Sequence, residues 1–419
     1  MATSSRQKVP VLYVIDEGFV PPDRGDEQEG PQPAVPAGDP DEAVRLFHRY
    51  RQLMAQILGF EEELPAPANE EDLAAVEEEL RVALPADLRA LYRLANGDGD
   101  LINPLFDRHP WVTLDEICDL ETEWLDISRE WEYEQWRRPV FDATPPGTVR
   151  RSALRPGWIR FAEDTGGNWL AVDMDPGPNG RPGQVIEVGV DCTEGSAYVA
   201  DSVTAFLRHL VEALERGDYR RHEESLWIES ELPALPEATM HYYDGPPSRE
   251  RAEQAGPRVQ DVRVTEVEDC AFLDVLPEVL SLVLSSKGSA DLTVLGDRPL
   301  EHLELDMETV DLTAPTRNRE LRSLSVTSAR PVELAPLRAL PHLWALDVAA
   351  APVADLATLA ELKGLRYLEV TQDQWRELSQ LDDLPPFAVV GIHPDRPERE
   401  FPGGTAWETT YAEPPTSTP

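Results

Sequence analysis

With 419 residues the chain has room for two or three domains, each with a core of its own, and its apolar content of 41% is that of ordinary globular proteins. Its 79 acidic residues outnumber 38 basic ones for a net charge of −41, which opposes binding to nucleic acid or an anionic membrane and favours a cationic partner or plain solubility. Three cysteines far apart (Cys118, Cys192 and Cys270) form no C-x-x-C pair, and no apolar run reaches the length of a membrane span, so a cytoplasmic protein without a disulfide framework is expected.

Val9–Ile15 reads as a strand, too short for a signal segment, and the Pro/Gly/acid-rich run from Pro21 to Pro40 isolates it, giving an N-terminal segment and linker over 1–38. Asp39-Pro40 then opens a helix, with Asp as N-cap and Pro in the first turn. Leu46, Tyr50, Leu53, Met54, Ile57 and Leu58 fall at helical spacing, and Gly59 is the stop. A second helix starts at Asn69 and turns Leu73, Val76 and Leu80 inward. Leu84-Pro85 breaks it, and Pro85 opens a third helix with Leu88, Leu91 and Tyr92 inward, stopped by Asn96-Gly97. Asp98-Gly99-Asp100 follows as an acidic loop. Thr113 and Glu116 have capping-box spacing for a helix carrying Ile117, Leu120, Trp124 and Trp131, with Trp136 just beyond.

Pro156 to Ile186 reads as a three-stranded meander. Trp158–Phe161 is the first strand, Glu163 to Asn168 the turn, and Trp169–Asp173 the return; a Pro/Gly/Asn loop from Asp175 to Gly183 leads into Gln184–Val188. Ala197–Val199 adds a possible strand, and Asp201 or Ser202 caps a closing helix through Phe206, Leu207, Leu210 and Leu214 to Gly217. The whole is an α+β domain over 39–219, helices packed on a small antiparallel sheet. Trp158, Phe161, Gly166-Gly167-Asn168, Leu170, Asp173, Asp175-Pro176 and Gly180 through Val185, which includes Gly183 and Gln184, stand in an order that resembles the signature of the SMI1/KNR4 (SUKH) family. Leu84-Pro85 and Asn96-Gly97 fit that family's upstream marks, and the likeness runs over roughly residues 40 to 218.

Residues 220–262 read as a linker rich in Glu, Pro and Arg. Beyond it, over 263–393, apolar-x-x-apolar-x-apolar recurs from Val279, Leu300, Leu321, Leu343, Leu365 and Phe387, at intervals of 21 or 22 residues. That period resembles short leucine-rich repeats, with Leu334/Leu337/Leu340 and Leu356/Leu359/Leu362 as convex return segments. Glu308, Ala329, Ala351 and Asp373 occupy the positions where such repeats usually carry Asn. The Pro/Thr-rich tail, 394–419, is expected to be disordered.

Catalytic and metal signatures are not found. Counted from Asp173, a calcium loop needs an acid or amide at 177, Gly at 178 and Glu at 184, where the chain has Gly177, Pro178 and Gln184. His222-Glu223-Glu224 has no second His at the zinc-protease spacing, and His109, His209 and His302 have no Cys or His at ligand spacing. Neither a G-x-S-x-G elbow, a P-loop nor a G-x-G-x-x-G is present, so no enzyme, cofactor or metal is expected. Trp124, Trp131, Trp136, Trp158 and Trp169 could line a binding surface, but core packing accounts for them better.

The resemblance implies a non-enzymatic binding module: bacterial SUKH proteins are commonly immunity partners of secreted toxins, many of them nucleases. An acidic chain suits that role, because a nuclease surface must be basic to hold phosphate. The expected contacts are acids beside the meander (Glu163, Asp164 and Asp175) and in the loop with Asp98 and Asp100. Fungal relatives imply the alternative, a regulatory or scaffold protein of cell-wall signalling. There the solenoid is a second docking surface with His302, Glu304, Asp306, Ala345, Asp347, Tyr367 and Glu369 on its concave strands.

Overall fold

Among the described residues the two largest hydrophobic cores lie one among helices and a small antiparallel sheet, the other inside a long parallel sheet. The computed structural model describes residues 11–16, 19, 22, 24–30, 37–119, 137–153, 155–192, 195–229, 240–394 and 410–412. One compact unit comprises Pro22–Glu132 and Val140–Glu237, the other Met1–Pro21, Tyr133–Pro139 and Ala238–Pro419. The chain enters at strand β1 (Val11–Val14), which belongs to the second unit.

In the first unit a single helical turn, α1 (Arg24–Glu27), precedes α2 (Pro40–Leu58), α3 (Glu70–Leu80) and α4 (Ala86–Tyr92). Capping sets these bounds. Asp39 accepts from Asp41 N and Glu42 N and Gly59 takes the left-handed stop of α2, while Asn69 and Asp72 form a reciprocal capping box on α3. Helix α4 ends at Tyr92, earlier than Asn96-Gly97 suggests. Gly97 (φ +84°) instead lies where a Cβ would meet Trp111 O at 2.8 Å, and Asn96 Oδ1 accepts Leu114 N at 3.0 Å, capping the helical residues 114–119 (α5) together with the Thr113–Glu116 box. Leu120, Trp124, Trp131 and Trp136 lie outside the described residues.

Strands β2 (Trp158–Glu163), β3 (Asn168–Asp173), β4 (Gln184–Gly189) and β5 (Ala197–Ala200) make one antiparallel sheet in sequence order, as the meander predicts. Helix α6 (Val203–Arg216) follows, capped by Ser202 and stopped by Gly217. The core of this unit centres on Phe106, which meets Phe161 edge-on at 5.0 Å and stacks on Phe206 at 5.9 Å. Trp111, Trp158 and Trp169 are buried there.

The described residues of 220–262 form regular elements where a linker is expected. They hold a hairpin, β6 (Tyr219–His222) with β7 (Ser225–Ile228), then β8 (Met240–Tyr243), α7 (Arg249–Ala255) and the first half of β9 (Asp261–Val264). Strand β9 is a further solenoid turn, since Val259, Val262 and Val264 repeat the apolar pattern and are buried. Strands β10 (Ser281–Ser286), β11 (His302–Met307), β12 (Ser323–Ser328), β13 (Ala345–Asp347), β14 (Tyr367–Thr371) and β15 (Val389–His393) continue the sheet in parallel. A period of 20 to 22 residues puts like on like: Val262, Leu282, Leu303, Leu324, Leu346, Leu368 and Val390 stand in register. Leu334, Leu337, Leu340, Leu356, Leu359 and Leu362 close the core from the return segments, as the spacing predicts. The chain is thus an α+β domain of helices on a small antiparallel sheet followed by a short leucine-rich-repeat-like solenoid.

The strand at β1 is not isolated. A solenoid's last strand leaves a row of backbone groups without partners, and β1 pairs antiparallel with β15 to satisfy them. In the tail, β16 (Thr410–Ala412) pairs in parallel with β1, so those residues are ordered strand; 395–409 and 413–419 lie outside the described residues. Among the described residues no helix is long and apolar enough to cross a membrane. Leu12 is 1% exposed and packs with Trp344, Ala345, Tyr367, Ala388 and Val389. Leu12→Ala is expected to cost the solenoid unit about 2–5 kcal/mol, read as a lowered urea midpoint. A change below about 0.5 kcal/mol would mean that β1 adds nothing to this core.

Candidate functional site

The motif residues of the first unit point inward and hold one another. Asp173 is fully buried; its Oδ1 accepts Asp175 N at 2.9 Å and its Oδ2 accepts Gln184 Nε2, also at 2.9 Å. The same Gln184 amide donates to Thr148 O at 2.8 Å. Pro176 is buried beside them, and Gly183 (φ +89°) supplies the left-handed turn that returns the chain to β4. At the other end of the meander, Asp164 Oδ1 accepts from Gly166 N and Asn168 N, and Asn168 Nδ2 bridges Asp164 and Asp191 at 2.8 and 2.9 Å. Gly167 (φ +97°) completes that turn, and Trp158 sits in the core.

The acids expected at a partner surface divide by burial. Asp98 is 1% exposed; its Oδ2 accepts Leu105 N and Trp111 N at 3.0 and 2.8 Å, so it pins the loop rather than facing a partner. Asp100 is exposed, and Glu163 and Asp164 are half-buried. Burial pushes the Glu163 carboxyl up, helped by the charges of Glu116 and Asp164. Burial would raise Asp164 too, but hydrogen bonds from Asn168 and Gly166 hold it below the usual carboxylate range. Asp175 is half-buried and already engaged, its carboxylate meeting Arg150 Nε at 3.1 Å and Arg155 Nη2 at 2.6 Å. Arg150 in turn donates to Gly25 O and Gln28 O, tying down part of what reads as linker.

The solenoid's concave positions form rows across the strands. One row runs Glu304, Ser325, Asp347, Glu369, Gly391, Leu12; the next runs His302, Ser323, Ala345, Tyr367, Val389, Val14. Glu304 and Asp306 are half-buried, whereas His302, Ala345, Asp347, Tyr367 and Glu369 are buried. Gly391 leaves room for its neighbours, since a Cβ there would meet Glu369 Cγ at 2.7 Å and Leu12 Cδ2 at 3.0 Å.

Seated in these rows is Arg137. Its Nη1 lies 3.4 Å from Asp347 Oδ2, 3.2 Å from Glu369 Oε1 and 3.3 Å from Ser325 Oγ, and its guanidinium carbon lies 5.4 Å from the centroid of the Tyr367 ring. Tyr367 Oη donates to Glu369 Oε1 at 2.8 Å, and His393 Nε2 is 2.7 Å from Glu369 Oε2. Burial pulls the guanidinium down, but the charges of Glu369, Asp347 and Glu304 outweigh it and hold it above its ordinary value. Burial drives His302 down to about 3, so that imidazole is neutral. Sequence reasoning placed acids on this face without their cation. The only local signal was the Arg137-Arg138 pair set between Trp136 and Pro139, after an acidic stretch.

Among the described residues no group of three or more His, Cys, Asp or Glu is placed to hold a metal ion. Cys118, Cys192 and Cys270 are free thiols, and burial pushes each of them up, away from nucleophilic reactivity.

This inward motif network belongs to a known class of domain: the family model of SMI1 / KNR4 (SUKH-1) matches residues 67–209, and that stretch is an SMI1/KNR4 domain. The chain is similar to the "Cell wall assembly regulator SMI1" of Saccharomyces cerevisiae, 24% identical over 187 residues, 37% of this chain and 37% of that one. It is similar to the "Glucan synthesis regulatory protein" of Neurospora crassa, 27% identical over 177 residues, 35% of this chain and 33% of the relative. The "Cell wall biosynthesis/cell cycle regulator smi1" of Schizosaccharomyces pombe is 32% identical over 161 residues, 35% and 31% of the two chains. The chain thus spans about a third of the length of these relatives. Among solved structures, an internalin from Listeria monocytogenes aligns with a TM-score of 0.24 at 20% identity, over 32% of this chain and 48% of that chain.

Burial pushes both Asp98 and Asp173 up to about 7, against the opposing pull of their hydrogen-bond donors. Between the unfolded carboxyl value of about 4 and that folded value, the native state holds protons that the unfolded chain releases. Their stabilisation is therefore complete below about pH 4 and is lost as pH rises towards 7, at up to about 1.4 kcal/mol per pH unit for each group. The melting temperature of the SMI1/KNR4 unit is expected to fall from pH 5 to pH 8, and Asp98→Asn and Asp173→Asn are each expected to flatten that slope. Identical slopes in wild type and both variants, by differential scanning fluorimetry, would refute the assignment.

Proposed function

We propose that this protein is a non-enzymatic cytoplasmic regulator or scaffold of the cell-wall type, with its SMI1/KNR4 domain and its solenoid as two docking surfaces. The observation that carries this reading is its likeness to three fungal proteins named for cell-wall assembly, glucan synthesis and cell-wall biosynthesis. The architecture supports it. A parallel solenoid sheet presents one set of side chains per turn, a form suited to an extended protein segment. The concave row with Glu304, Asp347 and Glu369 selects for positive charge in that segment. The inward-facing motif of the SMI1/KNR4 unit leaves recognition there to other residues, of which Asp100 and Glu163 are solvent-accessible candidates.

A second reading is favoured by one observation, the net charge of −41. A chain so acidic would associate quickly with a basic toxin, a nuclease above all, and mask its cleft, which is the action of an immunity protein. Affinity capture on the full-length chain from its own cells, at low and high salt, separates the two. Wall-synthesis or signalling proteins are expected in the bound fraction and in none of the controls. Recovery instead of a basic toxin domain whose activity falls in the complex would overturn the scaffold reading in favour of immunity. Loss of either partner at high salt would identify charge as the driver.

A further inference from the structure

The seat of Arg137 has the composition of a receptor for a planar cation. Asp347 and Glu369 are 0% and 5% exposed, and they converge on one guanidinium from adjacent strands. Tyr367, 1% exposed, turns the face of its ring to the same group. Around that centre the carboxylates are themselves positioned: Ala349 N donates to Asp347 Oδ1 at 3.1 Å, and Tyr367 Oη and His393 hold the two oxygens of Glu369. Both carboxylates meet one guanidinium nitrogen, Nη1, while the Tyr367 ring receives the plane of the group, and that aromatic contact suits arginine better than a lysine ammonium, a compact point charge.

The occupant is not a strand of the sheet. Arg137 reaches the pocket from residues 137–139, which form neither helix nor strand, and its side chain keeps 18% exposure. Arg138 follows it, and the neighbouring His302 feels the charge of both arginines. Beyond the pocket, Glu304 and Asp306 on β11 extend the acidic track by two strands. A cation delivered by a loop, seated among buried carboxylates that continue into an acidic track, is the geometry of a ligand held in cis.

We propose that the pocket of Ser325, Asp347, Tyr367 and Glu369 is an arginine-recognition site, filled within this chain by Arg137, and that a protein partner docks on the concave face by presenting an arginine that takes its place. The chain's own Arg137-Arg138-Pro139 is the template for the segment it would accept. This rests on the reading of the solenoid as a docking surface, but it concerns one pocket and is tested without any cellular partner.

The probe is a fluorescein-labelled synthetic peptide copying residues 133–140, titrated with the full-length protein and followed by anisotropy. Arg137→Gln empties the pocket and is expected to bind the peptide at least tenfold more tightly than wild type. Adding Asp347→Asn and Glu369→Gln to that variant is expected to abolish the gain. A peptide with lysine in place of the arginine at 137 is expected to bind at least fivefold more weakly than the parent. Circular dichroism confirms folding of each variant; should Arg137→Gln not fold, Arg137→Lys, which keeps a charge in the pocket, carries the same comparison with a gain of at least threefold. Folded variants that bind the peptide no better than wild type would overturn the proposal. Equal binding of the lysine peptide would overturn it too, reducing the pocket to a patch of negative charge. Failure here with wall or signalling proteins still captured in cells would leave the scaffold reading intact; peptide binding with no such capture would do the reverse.

Discussion

A carboxylate taken out of water has to be met by donors or by a cation, because its desolvation is worth several kcal/mol. That constraint bears hard on a chain with a net charge of −41, where every added buried acid also works against its neighbours. The SMI1/KNR4 unit meets it with neutral donors. Asp87 takes Thr204 N and Oγ1 and its own Leu88 N, Asp98 takes two backbone N–H groups, and Asp173 takes one backbone N–H and the Gln184 amide. Asp87 thereby ties α4 to the start of α6, 117 residues on, while Asp98 and Asp173 close turns of 2 to 13 residues. The solenoid meets the same constraint differently, with a guanidinium brought in on a loop to stand beside Asp347 and Glu369.

The two solutions differ in what they permit. Backbone N–H groups and a packed amide cannot leave without unfolding the elements that carry them, so Asp98 and Asp173 are fixtures of the fold. The guanidinium of a loop arginine meets these acceptors at the end of a side chain, and an identical group from another chain satisfies the same acceptors. Buried carboxylates left without any cation would be costly, so exchange is the low-energy route by which such a face changes occupant. This is the physical ground on which the concave row, rather than the buried Asp98 and Asp173, is proposed for recognition.

Local chemistry made much of this legible. The Asp39 and Asn69 caps, the Thr113–Glu116 box, the meander turns and the 21–22-residue apolar period each state their structure within a few residues, and each element stands where its residues place it. What stayed hidden depends on pairings between distant segments. Val11–Val14 looks detached behind a proline-rich run because its partner, β15, lies at the far end of the chain. The turn at Val259, Val262 and Val264 is masked by the charged residues around it, although its valines obey the repeat. Asp98 looks like a surface acid in an acidic loop, and only the fold shows Leu105 and Trp111 donating to it. Arg137 carries no more local signal than its place beside Arg138 between Trp136 and Pro139; its site consists of residues some 190 to 230 positions away.

Long-range charge and short-range geometry then divide the work of recognition. At physiological salt the field of exposed acids is screened within about 8 Å, so a net charge of −41 raises encounter rates with any basic protein without choosing among them. Selection needs contacts that a generic basic surface cannot reproduce. The buried Tyr367 ring and the fixed oxygens of Asp347 and Glu369 impose a plane and a direction on the cation they accept. In situ, Arg137 has to be outcompeted before any partner arginine enters, which lowers apparent affinity by the fraction of time the pocket stands open. A partner that overcomes this must offer further contacts along Glu304 and Asp306, so self-occupancy raises the specificity of the face at the expense of its affinity.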